Sequence, residues 1–74
     1  MPMSTIIVQR YDGSPARRVR VVLSFTAGMT DGDYTDGQGR VVIEHSSTGK
    51  ATVYVEGKEV DKFRAPGKCA VTLS

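Results

Sequence analysis

Arg18-Val19-Arg20-Val21-Val22-Leu23-Ser24-Phe25-Thr26 sets the architecture of this chain. Val19, Val21, Leu23 and Phe25 fall on one side of an extended backbone. Arg18, Arg20, Ser24 and Thr26 fall on the other, with Val22 the one apolar exception. Side chains of a strand alternate between faces, so this segment buries one face and wets the other. The same period of two runs outward in both directions. Thr5 to Arg10 offers Ile6 and Val8, Arg40 to His45 offers Val41 and Ile43, and Lys50 to Glu56 offers Ala51, Val53 and Val55. Cys69, Val71 and Leu73 share a side near the end of the chain. No window carries a helical stripe of apolar residues.

Turn chemistry separates these runs. Asp12-Gly13-Ser14-Pro15, Asp36-Gly37-Gln38-Gly39, Ser46-Ser47-Thr48-Gly49, Glu56-Gly57-Lys58 and Ala65-Pro66-Gly67 join residues that accept positive φ with residues that fix φ or bond their own backbone. Val60 and Phe63 lie on opposite parities in Lys58 to Arg64, which predicts a bulged or edge strand there. The expected fold is therefore all-β: one domain over residues 1–74, an immunoglobulin-like or transthyretin-like sandwich of six or seven short antiparallel strands. Its expected core is Ile6, Val8, Val21, Leu23, Phe25, Val41, Ile43, Val53, Val55, Val71 and Leu73.

Composition narrows the function classes. With 74 residues, 39% hydrophobic and 24% charged, the chain is too short for a doubly wound or barrel enzyme scaffold and too apolar for a disordered tail. The net charge of +2 is unevenly spread. Residues 1–30 hold four Arg against one Asp, residues 31–44 hold four acids against Arg40, and residues 45–74 are again basic. Such alternation is a mixed surface and argues against a nucleic-acid face. The single cysteine leaves no internal disulfide, and no apolar run is long enough for a membrane helix. If Met1 is the native start, the chain is cytoplasmic.

Three motifs in order resemble the carboxypeptidase-regulatory-like family, a transthyretin-like sandwich. They are Gly13-Ser14-Pro15-Ala16 ahead of an alternating strand, Thr35-Asp36-Gly37-Gln38-Gly39 leading into Val41 and Ile43, and Gly49-Lys50-Ala51-Thr52-Val53-Tyr54-Val55. The resemblance spans residues 5–73 and departs from the family pattern where Val41 and Ala51 replace an aromatic. It implies an accessory module whose motif residues fold the chain rather than catalyse.

Candidate chemistry is sparse. Asp31, Asp33 and Asp36 are the one stretch where oxygens could gather around Ca²⁺, although the third acid is out of step with an EF-hand loop and Val42 stands where that loop ends in Glu. Tyr34 and Tyr54 are the candidate sugar-stacking pair. His45 is the only histidine, beside Ser46 and Ser47, which are too local to complete a triad with it; Cys69 has the parity of a buried residue. Arg10, Arg17, Arg18 and Arg20 cluster without aromatic platforms for bases. The expectation is a non-enzymatic binding module, without cofactor, that meets a protein partner through loops or a sheet edge. The alternative is a carbohydrate-binding domain assisted by calcium. Homodimerisation through an edge strand would add stability to so small a core.

Overall fold

The computed structural model describes residues 2–73. It is all-β. Strands β1 (Met3–Gln9), β2 (Arg20–Phe25), β3 (Gly28–Met29), β4 (Asp33–Tyr34), β5 (Arg40–Glu44), β6 (Gly49–Val55), β7 (Lys58–Ala65) and β8 (Lys68–Thr72) form two sheets. The first has the order β5-β1-β8. In the second, β2 is central, with β3 and β4 along one edge and β6 then β7 on the other. Among the described residues eight strands stand where six or seven were expected, because residues 28–34 pair twice with β2 as two-residue segments.

Alternation builds the interior as the sequence predicts. Ile6, Val8, Val21, Leu23, Val41, Ile43, Val53, Val55 and Val71 pack in one cluster between the sheets. Phe25 and Leu73 are only half-buried at its ends. Ala16 and Cys69 complete the cluster. Val22 points outward with Tyr54 opposite it, yet is 6% exposed, because β2 has strands on both sides. A bulge at Val53/Tyr54 shifts the β6–β7 register and accounts for the mixed parity of Val60 and Phe63.

One pairing departs from the expected antiparallel plan. β1 and β8 run parallel, with Ile6 opposite Cys69 and Val8 opposite Val71. A parallel pair needs a long crossover, and the other six strands provide it. Two long-range contacts lock this frame. The Thr35 hydroxyl donates to the Ala16 carbonyl (2.6 Å) and accepts the Val19 N–H (3.1 Å), joining the β1–β2 link to the hairpin before β5. Gly39 lies against the Val8 backbone at φ 75°, where a side chain has no room. Among the described residues no helix is long and apolar enough to cross a membrane.

Candidate functional site

Sheet edges are where such a sandwich leaves main-chain groups unpaired. The Thr5 N–H donates to the Gly67 carbonyl (2.8 Å) and the Leu73 N–H to the Gln9 carbonyl (2.7 Å). In a parallel ladder this phase turns the N–H and C=O of Cys69 and Val71 toward β1. Lys68, Ala70 and Thr72 therefore point theirs outward, and their side chains are also exposed. The edge of β8 is open along its length.

The other edges are guarded, β5 at one end only, since Val42 and Glu44 also turn their main chain outward and Val42 is 48% exposed. On β5, the Asp36 N–H donates to the Arg40 carbonyl (2.9 Å) and the Arg40 N–H to the Asp36 carboxylate (3.0 Å), which closes one end of that edge. β7 carries Lys58, Glu59, Asp61, Lys62 and Arg64 and is bulged. β3 is two residues long. Charges, bulges and short strands all discourage strand addition, and β8 has only Lys68. Beside the far end of β8 lies a cleft of about 380 Å³, with Val55, Val60 and Leu73 among the residues that line it. Glu56, Lys58 and Glu59 line it too, so the cleft is mixed. An unpaired edge next to such a cleft can accept an extended chain through its backbone and one of its side chains.

The candidate residues of the acidic stretch do not converge. Asp36 caps its own hairpin, accepting the N–H groups of Gln38 (2.8 Å) and Arg40 (3.0 Å). Those donors hold its carboxyl below the usual carboxylate range. Asp33 accepts the Tyr34 N–H, and at Asp31 it is the backbone carbonyl that the Arg20 guanidinium bonds (2.9 Å). Among the described residues no three of His, Cys, Asp and Glu gather as metal ligands. Tyr34 and Tyr54 share the outer face of their sheet but sit on strands either side of β2, opposite Arg20 and Val22 respectively. The one aromatic pair among the described residues is Phe25 with His45, centroids 5.1 Å apart.

His45 has a partner that local reading missed. Its Nε2 lies 2.7 Å from the Ser4 Oγ, and its Nδ1 lies 2.6 Å from the Ser47 carbonyl. A carbonyl only accepts, so Nδ1 carries hydrogen and, in the neutral ring, the Ser4 hydroxyl donates to Nε2. Ser4 also accepts the Gly67 N–H (3.3 Å). The order serine, histidine, acceptor is that of a nucleophile and its base, but Ser4 has 0% exposure and His45 4%. A carbonyl substrate has no approach to such an oxygen. The ring borders a cleft of about 350 Å³ with Phe25, Met29, Ser46 and Ser47, yet both its nitrogens are engaged inside the protein. The pair fastens the start of β1 to the end of β5 and to the turn before β8. Only the presence of a lone histidine hinted at it, since the two residues are 41 positions apart.

Cys69 is buried, and its thiol lies 3.7 Å from the Asp61 carboxylate. Burial first and that negative neighbour second push the thiol up, away from the reactive thiolate. In the arginine cluster, Arg10, Arg17 and Arg18 are exposed, while Arg20 is tied to the Asp31 carbonyl. The chain matches no protein-family model and no curated protein.

Proposed function

We propose that this domain is a non-enzymatic binding module in which an extended segment of a protein partner joins the free edge of β8. The carrying observation is the outward main chain of Lys68, Ala70 and Thr72 beside the cleft of Val55, Val60 and Leu73. Backbone pairing would supply affinity, and an apolar side chain in the cleft would supply selectivity. The sealed Ser4 hydroxyl supports binding rather than catalysis. The resemblance to carboxypeptidase-regulatory-like domains supports an accessory role alongside other proteins. Among the described residues neither a stacked tyrosine pair nor converging carboxylates support the carbohydrate alternative.

Peptides selected on the purified chain from a random displayed library test the reading. A bound peptide should slow amide exchange at Lys68, Ala70 and Thr72. Ala70→Pro should abolish binding and keep the fold, since the Ala70 N–H serves no strand of the domain itself. Protection confined to the loops, or binding that survives Ala70→Pro, would refute the edge. Protection of the same amides by self-association would make the partner a second copy.

A further inference from the structure

β6 and β7 set two cations face to face. In their register Lys50 lies directly opposite Arg64, and Lys62, two residues earlier on the same outer face, lies opposite Thr52. Like charges directly opposite on a sheet are destabilising, and an acid in either position would remove the cost. The single ion pair among the described residues, Lys62 with Glu59 at 3.7 Å, is half exposed and engages neither Lys50 nor Arg64. These three basic residues and Phe63 line a depression of about 300 Å³. The cations thus crowd a concave surface rather than spreading apart over a convex one.

We propose that this corner is an anion site, and that its ligand is a compact phosphoryl dianion, either inorganic phosphate or the phosphate of a small monoester. Arg64 can present two parallel N–H donors to two oxygens, and Lys50 and Lys62 add mobile point charges. The anion takes the place of the missing carboxylate between Lys50 and Arg64. A polyanion fits poorly, because Glu59, paired with Lys62, adds a negative charge nearby and the basic run is only as long as two strand positions. This site lies on the outer face of β6–β7 and does not depend on the β8 reading.

Titration with inorganic phosphate and with phenyl phosphate, at constant ionic strength set by chloride and followed by amide NMR, tests it. Saturable shifts should centre on Lys50, Lys62, Phe63 and Arg64. Lys50→Gln and Arg64→Gln, both exposed and folded by the same spectra, should each weaken binding about tenfold. Tighter binding of phenyl phosphate would identify a monoester site, and equal binding would identify a site for free phosphate. Shifts that chloride reproduces, or that fall equally on Arg10, Arg17 and Arg18, would overturn the proposal. So would undiminished binding by both variants, or tighter binding to a DNA oligonucleotide at the same residues.

Discussion

The Ser4 Oγ and the His45 Nε2 stand 2.7 Å apart in the interior, with Ser4 fully buried. The bond joins the first strand to the end of the fifth and leaves no buried side-chain polar atom unsatisfied among the described residues. Its role is to make a polar spot in a thin core tolerable.

Removing one partner should therefore cost more than removing both. Ser4→Ala leaves the His45 Nε2 buried without a donor, a loss of about 1–3 kcal/mol. Ser4→Ala with His45→Phe should lose less than the sum of the single changes, by at least about 0.5 kcal/mol. Urea unfolding of the four proteins measures this, and strictly additive losses would show that the bond has no coupling energy.

Gly39 and Gly37, two positions apart in one hairpin, should respond in opposite ways to alanine. A Cβ on Gly39 would collide with the Val8 carbonyl oxygen and come within 3.1 Å of the Ala16 nitrogen, at a φ of +75° that disfavours side chains. Gly39→Ala should cost about 2–4 kcal/mol. A Cβ on Gly37 meets nothing within 4 Å. Gly37→Ala should stay within about 0.5 kcal/mol of the parent. Thermal melts with equal midpoints for the two variants would contradict the packing of this hairpin against β1.

Asp36 makes part of the stability depend on pH. Backbone donors from Arg40 and Gln38 lower its folded-state pKa, so the unfolded chain takes up the proton first as pH falls. Its contribution is fully present above the ordinary carboxylate range and is lost as pH drops through the lower folded-state value. The melting midpoint of Asp36→Ala should lie below that of the parent by a constant interval near neutrality. The interval should narrow below about pH 4. An interval that widened in acid would reverse the sign and exclude this cap.

Much of the fold was legible because the direction of a side chain on a strand is a local property. Leu23 and Ile43 could be assigned inward, and Arg20 outward, from their neighbours alone, and each lies as assigned. The hairpin at Asp36 was legible for the same reason: its acceptor and its donors lie within four residues. Thr35 was read with that motif, but its bond to the Ala16 carbonyl, 19 positions away, was not visible.

Pairing between distant segments has no such local trace. Nothing near Ser4 announces His45, nothing near Cys69 says that its strand runs parallel to β1, and the acids at 31, 33 and 36 look like a cluster until β4 and the hairpin separate them. Which edge stays open, and which cations end up opposite each other, depends on the order of strands across a sheet. That order is chosen by the collective burial of the six longer strands, so only the assembled structure reveals the open side of β8 and the Lys50–Arg64 pair.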